Sequence, residues 1–287
     1  IVRNAMSDDV PQGSIFQEAD EIVRRTFGLR TNQNLKHRSV SQNLVRPTDQ
    51  AMRASVSDLY NSVASKRTDH IPSKENWRTR PVTRLSNRNK SPEVLLERSV
   101  AMLAELDAMR GWVNQVPIAS GLVDGRSDKR AALDLVRFRD NSAEFIELKW
   151  ASDTPAYAAI EILRYGIAYL YSFVNSGELG YSELPMMKMG LIHLQVVAPS
   201  EYYEKHNLHW LELDLDREIG ALSRSRSDGR LSMGFQFLKF PEGFHLPFRD
   251  GAEVKAIISD SHGSLGANRI TEAFDNLAPV WCMPEKR

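Results

Sequence analysis

Ala131-Ala-Leu-Asp-Leu-Val-Arg-Phe-Arg139 is followed by Asp140-Asn-Ser142 and then by Ala143-Glu-Phe-Ile-Glu-Leu-Lys-Trp150. Two apolar runs flank three turn-forming residues, which predicts an antiparallel hairpin. Strand side chains alternate, so Glu147 and Lys149 share one face while Ile146, Leu148 and Trp150 share the other. The spacing sets Asp134 of the first arm across from Glu147 near one end of the hairpin. Unpartnered buried carboxylates are costly, so such groups pair or hold a metal. Asp134, Glu147 and Lys149 are therefore the leading candidates for chemistry, and the two carboxylates are placed to share one cation.

An Asp on one strand and Glu-x-Lys on the next resembles the signature of the PD-(D/E)xK, or restriction endonuclease-like, nuclease superfamily. Leu133 stands where that signature usually has proline. The superfamily's order is helix, three strands, helix, strand, and residues 91–199 offer a candidate for each. The resemblance implies a three-layer α/β core with a central mixed β-sheet flanked by helices. It also implies Mg²⁺, with Mn²⁺ able to substitute, held by Asp134 and Glu147, and Lys149 as the catalytic lysine that orients the attacking water. A glutamate of the first helix commonly stands beside the metal in the family, and Glu97 takes that role ahead of Glu93. The implied activity is phosphodiester hydrolysis, with DNA expected ahead of RNA.

Residue by residue, Ser91-Pro-Glu93 opens a helix with a capping residue, a proline at its first position and an early acid. Asn114, Gln115 and Ser120 interrupt the first strand; they either touch substrate or satisfy irregular buried backbone. Arg126, Lys129 and Arg130 form either a phosphate-facing lip or an ordinary solvated turn. Asp153 or Thr154 caps a helix beginning at Pro155, apolar on nearly every side and hence buried. Its polar exceptions, Glu161 and Arg164, either reach the site or pair with each other. Some branches of the superfamily carry Gln-x-x-x-Tyr here; Glu161 and Tyr165 match the spacing but not the glutamine. Residues 189–198 supply the last core strand, 210–222 an amphipathic helix and 231–240 a further strand, and 241–287 read as a wrapping tail.

The 287 residues suit a nuclease domain over 91–287, its shared core about 91–199 and its extension 200–287, preceded by a helical, basic region over 1–90. Residues 1–90 hold 16 Lys and Arg against 9 Asp and Glu, and the remainder 21 against 28. The cations from Lys66 to Lys90, with Trp77 among them, form either a phosphate-tracking arm or a solvated linker. Helices are expected over 16–27 and 48–65. One cysteine, Cys282, excludes an internal disulfide. With no membrane-length apolar run and no signal peptide at Ile1-Val-Arg-Asn-Ala-Met-Ser, a cytoplasmic protein is expected. A cutter of both strands is expected to act as a homodimer. The rivals are a catalytically inactive nucleic-acid-binding or scaffolding protein that keeps the fold, and a two-carboxylate glycoside hydrolase, which Lys149 argues against.

Overall fold

The computed structural model describes residues 18–66, 72–119, 131–259 and 265–281. Its elements run α1 (Ala19–Thr26), α2 (Arg38–Gln42), α3 (Asp49–Ser65), α4 (Pro92–Glu105), β1 (Trp112–Pro117), β2 (Ala132–Arg139) and β3 (Ser142–Leu148). They continue with α5 (Pro155–Val174), α6 (Ser176–Leu179), a 3₁₀ turn (Pro185–Lys188), β4 (Leu191–Ala198), α7 (Ser200–Tyr203) and α8 (His209–Arg226). The chain closes with β5 (Ser232–Lys239), α9 (Gly251–Ser259), α10 (Leu265–Asp275) and β6 (Ala278–Pro279).

The hairpin forms as expected. β2 and β3 pair antiparallel from Arg139 with Ser142 to Leu135 with Ile146, and the next positions in that register are Asp134 and Glu147. The Asn141 carbonyl and side chain both accept the Gly190 amide, which ties the turn to the start of β4. Among the described residues the sheet has six strands in sequence order, parallel from β3 to β5 and antiparallel elsewhere.

Parallel neighbours need crossovers, supplied by α5 and α8. Strand alternation divides the core in two: Phe145, Leu194 and Phe237 pack with α3, α5 and α8, while Ile146, Leu148 and Leu238 pack with α4, α9 and α10. The result is a mixed sheet between two helical layers. Thr154 caps α5 by accepting the Tyr157 amide, and Pro155 occupies the first helical position. Gly166 lets α5 approach the sheet, since a Cβ there would lie 2.6 Å from Leu194 Cδ1.

Two expectations change. Residues 241–287 are not merely a wrapping tail: α9 and α10 supply much of one helical layer through Val254, Ile258, Ile270 and Phe274. Trp77 does not face solvent with the cations around it. It is fully buried, 5.3 Å from the Tyr169 ring and 6.4 Å from that of Phe145, and its amide donates to the Pro117 carbonyl. Lys74, Arg80, Arg84, Arg88 and Lys90 are exposed, while Arg67 lies outside the described residues. The N-terminal helices share the α5/α8 core, and Arg46 reaches the buried Asp214 at 2.8 Å. No helix among the described residues is long and apolar enough to cross a membrane.

Candidate active site

The candidate centre lies where the hairpin ladder ends. Asp134 pins the first arm to the second, its Oδ2 accepting the Leu148 amide at 2.9 Å. Lys149 follows β3 directly, and its amide still donates to the Val197 carbonyl at 3.0 Å, so it keeps the strand's course. Its ammonium consequently falls on Glu147's side, 2.8 Å from Glu147 Oε1, 2.9 Å from Glu161 Oε2 and 3.7 Å from Asp153 Oδ2. Glu147 is only 4% exposed and Lys149 8%. The apolar positions around them explain that burial, because Glu147 projects from the same strand face as Phe145 toward α5.

Helix α5 completes the cluster. Glu161 meets Lys149, and the Tyr165 hydroxyl donates to Glu161 Oε1 at 3.5 Å, so these two candidates do come together. Arg164 does not join them and does not pair with Glu161. Three positions further round the helix it turns to α1, where it bonds Asp20.

Glu97 is buried beside β1. It accepts Asn114 Nδ2 at 2.6 Å and Gln115 Nε2 at 3.1 Å, and it also bonds the Arg98 guanidinium. Burial foremost pushes its carboxyl up to about 8; Arg98 opposes the shift and the Asp134 charge adds to it. The Gln115 amide is therefore spent on Glu97 rather than held out to a substrate. Gln115 has a left-handed backbone, φ 49°, and is skipped between the pairs Asn114 with Leu135 and Val116 with Leu133. The register is unbroken across it, so Gln115 stands opposite Asp134 in a locally kinked strand. Asn114 exchanges two hydrogen bonds with the Val82 backbone, satisfying an irregular segment. Ser120 and Arg130 lie outside the described residues.

Two acids that the sequence set aside stand beside the centre: Glu93, passed over for Glu97, and Asp153, considered only as a cap of α5. Glu93 accepts the Trp150 amide at 3.0 Å and the Ser152 hydroxyl at 2.8 Å. Burial opposes its charge, but those bonds outweigh it and hold Glu93 below its ordinary value. Asp153, at φ 56°, bends the chain between Lys149 and the α5 cap. Glu93 is the passed-over candidate for the first-helix glutamate, because its place in the first helical turn is equally that of a plain helix start.

Charge decides what this centre can do. Burial foremost raises Asp134 to about 6, against the pull of Lys149, and raises Glu147 well above the usual carboxylate range, with Asp134 and Glu161 adding to it. For Lys149 burial works against the ammonium, but Glu147 and then Glu161 outweigh it, so it lies above its ordinary value. Glu147, Glu161 and Asp153 thus surround the Lys149 ammonium and Asp134 stands near enough to feel it, a surplus of acids over cations that a divalent ion would relieve. Among the described residues no three His, Cys, Asp or Glu side chains are already gathered as a metal site. Asp134 and Glu147 nevertheless fit an ion that takes one or two carboxylates and completes its shell with water and phosphate oxygens, as Mg²⁺ does.

Fold and centre together define a three-layer α/β protein with a buried carboxylate and lysine cluster at the end of its central hairpin. Set against family models, curated proteins and solved structures, the chain matches none of them.

Proposed function

We propose that this protein is a divalent-metal-dependent nuclease acting on DNA, with Asp134 and Glu147 as the residues that would hold the ion. One observation carries the reading: a buried ammonium, Lys149, is held between Glu147 and Glu161 beside a half-buried carboxylate, Asp134. When bound, the ion supplies Lewis-acid activation of water and neutralises phosphate charge. Lys149 supports the reaction electrostatically. As a held cation it offsets the negative charge that develops on phosphorus oxygens and does not remove a proton from water. Glu161 fixes the ammonium, and Tyr165 steadies Glu161.

Linear, circular and single-stranded DNA, and RNA, incubated with Mg²⁺ or Mn²⁺, test this directly. Cleavage should need the metal and disappear in Lys149→Ala and Asp134→Ala; cleavage that survives both substitutions overturns it. A second reading, a non-cleaving nucleic-acid-binding protein, draws on the closed state of the cluster, in which Lys149 itself bonds Glu147. DNA binding without turnover in either metal would favour it.

A further inference from the structure

Beside Lys149 the structure opens a cavity of about 500 Å³, within the roughly 300–1,000 Å³ usual for small-ligand sites. Arg38, Trp150, Asp153, Glu201, Tyr202 and His206 line it. Asp153 connects it to the centre, since its other role is the 3.7 Å contact with the Lys149 ammonium. Glu201 is engaged by the Ser200 hydroxyl.

Three polar atoms of these lining residues have no hydrogen-bond partner among the described residues: the Tyr202 hydroxyl and both ring nitrogens of His206. Tyr202 is 9% exposed and His206 7%, so water does not readily satisfy them. Each such group costs about 1–3 kcal/mol, and uncompensated groups of this kind point to a missing partner. Burial foremost, with Arg38 adding, holds His206 below its ordinary value. A neutral imidazole presents one donor and one acceptor. Arg38 is exposed at the same cavity, and no ion pair engages it among the described residues.

We infer that this cavity binds a nucleotide unit of the substrate next to the scissile phosphate, with Arg38 on a phosphate and Tyr202 and His206 on the polar edge of its base or sugar. A cation, a donor and acceptor pair and an aromatic wall are what a nucleotide requires. The inference rests on the nuclease reading for its substrate class but not for its test. In EDTA, a twelve-residue single-stranded oligodeoxynucleotide and free deoxynucleoside monophosphates are titrated against the full chain, followed by tryptophan fluorescence with Trp150→Phe to assign the signal. Arg38→Ala and Tyr202→Phe should each weaken binding about tenfold. Tyr202→Phe removes only an unpartnered hydroxyl, so its melting temperature should equal or exceed that of the wild type.

Weakened binding in a well-folded Tyr202→Phe protein therefore supports a ligand site and not a packing defect. Weakening for the oligonucleotide alone assigns the unit to a strand; weakening for both probes assigns it to the nucleotide itself. Unchanged binding of both probes in both variants overturns the inference, even where wild-type protein cleaves DNA with Mg²⁺. Weakened binding with no cleavage at all leaves the cavity standing and removes the nuclease.

Discussion

Lys149→Met keeps the length of the side chain and removes its charge. Asp134, Glu147 and Glu161 are then left with one positive charge fewer among them. The native cluster restores its balance by binding one further proton, at a cost set by the pH of the solution. Against an ordinary glutamate value of about 4.3, that proton costs about 1.36 kcal/mol per pH unit: about 1 kcal/mol at pH 5, 3.7 at pH 7 and 5 at pH 8. The neutral figure falls inside the roughly 3–5 kcal/mol lost when one partner of a buried pair is deleted. Because the native variant then holds more protons than its unfolded chain, its stability falls as pH rises, and the deficit fades toward pH 4. Urea unfolding of both proteins in EDTA at pH 5 and pH 8 measures it. With a slope near 2 kcal/mol/M, the midpoint gap should widen from about 0.5 M to about 2.5 M. A gap that is the same at both pH values would falsify the buried charge cluster.

Asp134→Asn retains an acceptor for the Leu148 amide, so stability should change by less than about 1 kcal/mol. Cleavage should nevertheless fall by about 10²-fold or more, the scale of losing one charge-handling group; wild-type rates in the variant would remove Asp134 from the metal site. Mg²⁺ at a hundred times its dissociation constant should stabilise the wild type by about 2.7 kcal/mol in calorimetry. The same stabilisation in Asp134→Asn/Glu147→Gln would put the ion elsewhere. Glu212 accepts the Phe237 amide at 2.9 Å, and burial foremost pushes its carboxyl up to about 7. It should therefore cost stability as pH rises from its unfolded value of about 4.3 through about 7, and Glu212→Gln should flatten that limb of the urea profile. Gly166→Ala would force a Cβ against Leu194 and should cost about 1–3 kcal/mol by thermal unfolding.

The elements readable from sequence are those whose local pattern and tertiary role agree. The hairpin alternates apolar and polar residues around a turn, and α5 begins with Thr154-Pro155 and runs to Val174 apolar but for Glu161, Arg164 and Ser172, so propensity, capping and burial all say the same thing. The α9 and α10 layer was not legible for the opposite reason. These helices span 9 and 11 residues, amid Pro241, Gly243 and Pro247 before them and Gly266 within α10, and are too short to be stable alone. Their stability comes from docking Ile258 and Phe274 into a core shared with α4, which no local window contains. Trp77 follows the same logic. Its neighbours are polar, yet one large ring between Phe145 and Tyr169 anchors the whole basic segment.

At the centre, the readable part was the part built on strand period, and the unreadable part sits where that period fails. Asp134, Glu147 and Lys149 share a side because strands alternate, and Glu161 joins them because α5 crosses that same face. Gln115 and Asp153, by contrast, both take left-handed backbone that a sequence of L residues does not advertise. The first, at Gln115, lets β1 deliver Asn114 and Gln115 to Glu97. The second turns Asp153 back onto Lys149, at the mouth of the cavity lined by Tyr202 and His206. Such conformations cost of order 1–3 kcal/mol each and persist where the surroundings over-determine them. Here one stands beside Glu97 and Asp134 and the other beside Lys149. Relieving them with Gln115→Gly and Asp153→Gly should therefore separate geometry from charge. Either glycine can adopt the backbone without strain, so a loss of metal-dependent activity in the folded variants would come from the side chains that hold Glu97 and Lys149 in place.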